Sequence, residues 1–343
     1  MSEDRGRHSR SVLFPGIGAE GQRRIADSSV AIVGVGAVGA AAAELAARAG
    51  VGRLTLVDRD VVEESNLSRQ LLFDAEDAER VAPKAAAADA RLRQIAPDVD
   101  SRGVVADLDS RNAREILAGH DLVLDGSDNF ETRLLVSDAS RALGLPSIYA
   151  ACVGEIGLVA VSLPGTTPCL RCYLEGLPPA GSGPTCDTAG IVPTLPPIVA
   201  AIAVTEALRI ATGAAPSRGV LSLTVWDGGF RSSRSFEAAA PGASCPVCSG
   251  ERFPALEAQG AAEVVKLCGR RSVQVASSGR ERPDLALLEE RLARVGRVRR
   301  SPELLNADVE DVALTIFSDG RCVVRGTEDP VRARLLYDRY VGR

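Results

Sequence analysis

Two C-x-x-C pairs, Cys169-Leu170-Arg171-Cys172 and Cys245-Pro246-Val247-Cys248, are the most specific chemical signal in the chain. This spacing lets one turn present two thiolates to a tetrahedral zinc. The only histidines are His8 and His120, so a four-cysteine site is the natural ligand set. The 72 residues between the pairs exclude a compact finger, so this zinc is expected to be structural, pinning a loop to the end of the main domain. A redox C-x-x-C is the rival, but neither pair is expected to open a helix after a strand. Cys186 stands apart in "LEGLPPAGSGPTCDTAG", a Gly/Pro/Ser-rich stretch. It is either an ordinary loop thiol or a thiol placed to reach an activated acyl group. Cys152, Cys268 and Cys322 lie in apolar or strand-like contexts and are expected to be packing residues.

The second cluster is a nucleotide signature. Gly34-Val35-Gly36-Ala37-Val38-Gly39 joins an apolar run to an alanine-rich stretch, and Asp58 lies 19 residues beyond Gly39. Glycines let backbone approach phosphate, and a helix N-terminus offers unpaired N–H groups and a positive dipole end. Alone, this predicts a Rossmann-type unit and makes NAD the naive ligand. The residues that follow argue for a different nucleotide. "LTLVDRDVVEESNLSRQ" adds Asp60, Ser65, Asn66, Arg69 and Gln70, followed by Lys84 and then by Asp125, Asp128 and Asn129 in "DLVLDGSDN". A dinucleotide needs neither a metal-binding acid nor several cations, whereas a triphosphate under attack needs both. A lone Arg69 or Lys84 would read as solvated surface. As a set they read as a phosphate site, and an NAD(P)-dependent oxidoreductase would leave Asp60, Arg69, Lys84 and Asp128 without purpose.

These residues need elements to place them. "SVAIVGVG" reads as a strand and "AVGAAAAELAARAG" as a helix closed by Gly50. "RLTLVD" is the next strand, followed by a helix from about Pro83 to Ile95 and further alternation to "PSIYAACV". The expected fold is therefore α/β, a Rossmann-like doubly wound sheet with ligands beyond the carboxyl ends of its strands. After Gly154, "GLVAVSLPG" and "GVLSLTVWDGGFRSSRSFE" read as antiparallel strands around an apolar helix. Residues 1–250 form the expected main domain. Residues 251–343 form a small C-terminal α+β domain, with strands at "SVQV", "VALTIFSDG" and "RCVVRGT" and a turn at Asp319-Gly320.

Composition sets the remaining bounds. The net charge of −5 argues against a nucleic-acid partner, and only two lysines, Lys84 and Lys266, stand among 40 basic residues. The N-terminal stretch is polar and lacks the apolar core of a leader. The window from Ile191 is broken by prolines and Glu206, so a buried helix is expected, with no membrane partner. A cytoplasmic location follows as an expectation, and it turns the eight cysteines toward metal or thiol chemistry.

Together, "GVGAVG", "LTLVDRDVVEESNLSRQ", "DLVLDGSDN", "PCLRC", "TCDTAGIVP" and "CPVC" resemble the ThiF/MoeB adenylyltransferases, relatives of ubiquitin-activating enzymes. The resemblance spans about Ser9 to Gly250, or about 70% of the chain. It implies ATP-dependent adenylation of the C-terminal Gly-Gly carboxylate of a ubiquitin-like sulfur-carrier protein (MoaD/ThiS-like), preparing thiocarboxylate formation for molybdopterin, thiamine or a related thio-cofactor. It further implies that Gly34, Gly36 and Gly39 lie along the nucleotide and that Asp58 binds its ribose. Ser65, Asn66, Arg69, Gln70 and Lys84 would address the phosphates, Asp128 would hold Mg²⁺, and Asn129 would sit beside it. Arg10 in "RHSR" would reach the partner subunit's site of a homodimer, and Cys169, Cys172, Cys245 and Cys248 would hold structural Zn²⁺. Cys186 matches a loop cysteine that captures the carrier or assists sulfur transfer in some relatives. A true thioester there would instead mark a bacterial ubiquitin-like conjugation or natural-product pathway. The chain departs from the family pattern at "RVAPK", which lacks the glycine often found before the lysine, and at Leu158, where many relatives carry glutamine. With no rhodanese motif, the sulfur is expected from a separate donor.

Overall fold

Strands β1 (Ser29–Val33), β2 (Arg53–Asp58), β3 (Asp100–Val105), β4 (Leu122–Asp125) and β5 (Ser147–Val153) run parallel in the order β3-β2-β1-β4-β5. Strands β6 (Ile156–Ser162), β7 (Val220–Thr224) and β8 (Arg231–Ser235) extend this sheet in antiparallel fashion. The computed structural model describes residues 6–173, 189–227, 231–235, 245–258, 264–266, 271–276 and 283–341. All of β1 is buried, as an apolar strand covered by helices on both faces must be.

The helix Ala37–Ala49 buries Ala40 to Ala43, Ala46 and Ala47, and Gly50 closes it at φ +87°. Its methyl side chains let the apolar helix Leu195–Thr212 pack against it. That second helix has the length and composition of a membrane span, yet Leu195, Val199, Ala200 and Ala203 are wholly buried within the chain. Two prolines open it at its first turn, where their missing N–H groups cost nothing, and Gly213 ends it.

The chain forms two compact units, Met1–Ala78 with Lys84–Gln259, and Glu79–Pro83 with Gly260–Arg343. The second carries a six-stranded antiparallel sheet in the order β11 (Arg297–Arg300), β12 (Leu304–Val309), β13 (Val312–Phe317), β14 (Cys322–Arg325), β10 (Ser272–Val275), β9 (Val264–Lys266). Helices Leu285–Leu292 and Pro330–Tyr340 cover it, each capped by an aspartate, Asp284 and Asp329, accepting from first-turn N–H groups. Leu305, Leu314, Ile316 and Val324 form its core. The sequence reading finds β10, β13 and β14. It passes over β11, whose "RVRR" shows no apolar alternation and is a strand through its pairing with β12. The reading divides the chain after Gly250. In the structure the helix Pro254–Glu257 stays with the first unit, because Ala255 N–H donates to the buried Asp138 at 2.7 Å.

Candidate active site

The sheet order reverses between β1 and β4, and the turns that leave these two strands meet there. Gly34 takes φ +81°, and a Cβ on it would stand 2.8 Å from the Ser127 backbone. A Cβ on Gly39 would fall 1.8 Å from the Gly34 carbonyl oxygen. These two glycines are required by close packing of the protein against itself. Gly36, the residue capping the Ala37–Ala49 helix, differs: a Cβ there meets nothing within 4 Å. Open space at a helix N-terminus suits an anionic ligand.

Asp58 ends β2, accepting from Val35 N–H at 2.6 Å and from Asp60 N–H at 2.7 Å. It therefore ties the glycine turn to the following loop. Burial pushes its carboxyl above the ordinary carboxylate range, against the pull of the Lys84 ammonium. Lys84 is 3% exposed, and its Nζ lies 3.5 Å from Asp60 Oδ2. Its backbone N–H donates to the Asp60 carbonyl at 2.9 Å, so one residue fixes both ends of the lysine. A buried lysine beside a carboxylate is a fixed point charge.

Sequence reasoning missed Arg59 and Asp107. Arg59 Nη1 lies 3.2 Å from Asp107, and burial opposes its charge, but Asp107, Asp60, Asp128 and Asp58 together hold its pKa above the ordinary value. Arg59 stands between the two acids of "DRD", but the Asp107 that pairs with it lies 48 residues away and nothing local marks the pair. Asp128 is exposed, with no hydrogen-bond partner among the described residues, as a carboxylate open to a cation would be. Its neighbour Asn129 uses its side chain to cap the helix Phe130–Ala142, accepting from Thr132 N–H at 2.8 Å. Asp125 is buried and accepts from both the N–H and the hydroxyl of Ser127. Burial raises its pKa, with Arg133 pulling the other way. Arg133, also missed, donates to the Ser127 carbonyl and stacks on Phe130 and Tyr149.

In the loop after β2, Asn66 is wholly buried and accepts from Glu63 N–H at 3.1 Å, forming a short 3₁₀ turn over Glu64–Asn66. Arg69 Nη1 donates to the Ser65 carbonyl at 2.7 Å, so the loop itself positions that cation. Gln70 is 4% exposed and its Oε1 has no partner among the described residues, leaving a buried acceptor free for a donor. Arg10 lies exposed on the helix Ser9–Leu13. Cys186 falls outside the described residues.

Cys169, Cys172, Cys245 and Cys248 converge, with all four sulfurs within 4.8 Å of one another. Neighbouring Sγ atoms are 3.6–3.9 Å apart. Zinc–sulfur bonds of about 2.3 Å in a tetrahedron place sulfurs about 3.8 Å apart, so the four residues fit one zinc. The anchor behind them is Asp138, 0% exposed, which takes Arg171 of the first pair at 3.0 and 3.1 Å and Ala255 N–H beyond the second. Asp138 sits on the helix that begins at Phe130, directly after Asp128 and Asn129. His120 follows the helix Ala113–Leu117, with Nδ1 3.1 Å from the Leu117 carbonyl oxygen.

Comparison with known proteins assigns this arrangement. The model of the ThiF family matches residues 8–247. The chain belongs to the ThiF family. It is 40% identical to the sulfur carrier protein ThiS adenylyltransferase of Bacillus subtilis, over 98% of this chain and 99% of that protein. It is 37% identical to the protein of the same name from Escherichia coli, over 71% of this chain and 95% of that one. Among solved structures it resembles Escherichia coli MccB with its MccA-N7isoASN partner, at a TM-score of 0.62 and 20% identity over 71% of this chain and 75% of that one, which shows the fold alone. The ThiF fold therefore accounts for the crevice at β1 and β4, and the Rossmann-like expectation stands.

Proposed function

We propose that this ThiF-family chain adenylates the C-terminal Gly-Gly carboxylate of a ubiquitin-like sulfur-carrier protein with ATP, for thio-cofactor biosynthesis. The observation that carries the reading is the meeting of the glycine turn, Asp58, Lys84 and Asp128 at one crevice. A carboxylate is already ionised at neutral pH, so no general base is required. One carboxylate oxygen bonds to the α-phosphorus, the bond to the bridging α–β oxygen breaks, and pyrophosphate leaves with the electron pair. The difficulty is bringing one anion onto another, so catalysis is positioning plus charge neutralisation.

Gly36 leaves room for the phosphates at the helix N-terminus. Lys84 and Arg69 supply fixed positive charge, and Arg10 supplies it across a homodimer. Asp58 serves the ribose with the lone pairs its two amide donors leave. Magnesium, when bound at Asp128, neutralises phosphate charge. Cys169, Cys172, Cys245 and Cys248 would hold a zinc that ties the segments 169–172 and 245–248 together. Cys186 receives or passes on the activated carrier, and sulfur comes from a separate donor. The chain works in the cytoplasm.

The test is ATP–pyrophosphate exchange with and without a Gly-Gly-terminated carrier from the same genome. Exchange that requires the carrier, and that Asp128→Ala abolishes without shifting Tm, is the expected result. Carrier-independent exchange, or full activity in Asp128→Ala, overturns the assignment of substrate or of metal ligand respectively.

A further inference from the structure

Residues 126–129 form the turn that leaves β4 and carries Asp128. Gly126 N–H donates to the Val33 carbonyl at 2.9 Å, seating the turn on β1. Asp125 Oδ1 accepts from Ser127 N–H at 3.0 Å and from the Ser127 hydroxyl at 2.6 Å. The Ser127 carbonyl accepts from Arg133 Nε at 3.2 Å and from Arg133 Nη2 at 2.9 Å. Ser127 is thus held at its donors by a buried carboxylate and at its acceptor by a guanidinium, one residue before Asp128. The Arg133 backbone N–H donates to the Asn129 carbonyl at 3.2 Å, and the guanidinium lies 5.2 Å from the ring centres of both Phe130 and Tyr149. Electrostatics alone would not place a cation there. One turn from the N-terminus of the helix Phe130–Ala142 the macrodipole disfavours it, and a permanent positive charge so close to a metal-binding carboxylate opposes the metal. What the guanidinium offers at this position is its fork of hydrogen-bond donors.

We propose that Arg133 is a positioning residue for the metal at Asp128: by gripping the Ser127 carbonyl it fixes the peptide unit from which Asp128 projects, and so sets how much Mg²⁺ adds to nucleotide affinity. The carbonyl carbon of Ser127 is bonded to the Asp128 nitrogen, so the two hydrogen bonds stop that unit from rotating. Asp128 itself is exposed and has no hydrogen-bond partner among the described residues, so its placement comes from the backbone. A carboxylate placed in advance leaves the metal no turn to order, and affinity rises accordingly. The Phe130 and Tyr149 rings keep the guanidinium in place through their π faces. The inference rests on the reading of Asp128 as the Mg²⁺ ligand.

The test uses the full, zinc-loaded chain and α,β-methylene-ATP, an analogue that cannot be cleaved to pyrophosphate. Calorimetry gives its dissociation constant with no added divalent cation and with saturating Mg²⁺. The ratio of the first to the second is the gain that the metal confers, and no turnover is involved. Arg133→Met is expected to lower this ratio about 5- to 20-fold, as loss of charge-assisted hydrogen bonds implies. Arg133→Lys, which keeps the charge acting on Asp125 but not the fork, should lower it by a smaller factor. With Asp128→Ala already present, Arg133→Met should change the ratio less than about 2-fold, because the two act as a unit. Equal weakening with and without metal would make Arg133 a structural or nucleotide contact, and overturns the proposal. So does an undiminished effect of Arg133→Met in the Asp128→Ala background. Asp128→Ala alone separates the two readings. A parental ratio there sinks Asp128 as the metal ligand and the brace with it, whereas a collapsed ratio there beside an unchanged one in Arg133→Met sinks only the brace.

Discussion

Asp138→Ala removes a carboxylate that is 0% exposed and holds Arg171 through two bonds of 3.0 and 3.1 Å. The arginine is itself only 19% exposed at its side chain, so truncation strands a largely buried charge. Breaking a buried pair from one side costs about 3–5 kcal/mol, whereas replacing both partners with apolar residues is often neutral. For a unit of this size each kcal/mol moves Tm by about 2–4 °C, so a fall of roughly 6–20 °C is expected. The Ala255 N–H, which donates to the same carboxylate, loses its partner too. Calorimetry or fluorescence melting on the zinc-loaded chain measures the fall. Asp138→Leu combined with Arg171→Met should recover most of it, because no unpaired charge is left behind. A single-variant loss below about 1 kcal/mol would refute the argument, since it would mean water reaches the pair and screens it. Equal costs in the single and double variants would refute it as well, by showing that the arginine was never the liability.

Three further outcomes follow from the geometry. Lys84→Ala should lower carrier-dependent ATP–pyrophosphate exchange by about 10²–10³-fold, the usual cost of removing one preorganised charge, and a change under 3-fold would remove it from the site. Elemental analysis should find about one zinc per chain, and Cys172→Ser or a strong chelator should lower Tm; metal-free protein that melts unchanged would contradict four converging thiols. The third concerns Asp125, whose carboxyl burial holds above its unfolded value. Such a group binds its proton more tightly in the folded state, so it favours folding below the unfolded pKa of about 3.9. That contribution is lost as pH rises through the folded value. Asp125→Asn should therefore raise Tm relative to the parent more at pH 7 than at pH 4, and an offset independent of pH would show that burial does not perturb the acid.

How much of the site was legible varies with the range of the forces that build it. Gly34, Gly36 and Gly39 were readable as a group, but their division of labour was not. Only packing shows that Gly34 and Gly39 are needed for contact with the protein itself while Gly36 faces open space. Arg69 and Lys84 were readable as cations. That the Ser65 carbonyl holds the first, and that Asp60 takes both the Lys84 amide and its ammonium, required the folded loops. Arg59 and Asp107 were overlooked because they lie 48 residues apart and neither alone departs from ordinary surface composition.

By itself the sequence determined the alternation of strands and helices, the four-thiolate donor set and the residue types of a triphosphate site. Each of these is written in local periodicity or in spacings that one turn can span. The tertiary structure decided what depends on distant partners: the reversal of strand order that opens the crevice, the pairing that makes a strand of "RVRR", and the joining of Asp138 to Arg171. Backbone hydrogen bonds and buried charges are satisfied by whichever partner the fold brings near, and no local pattern records which partner that is.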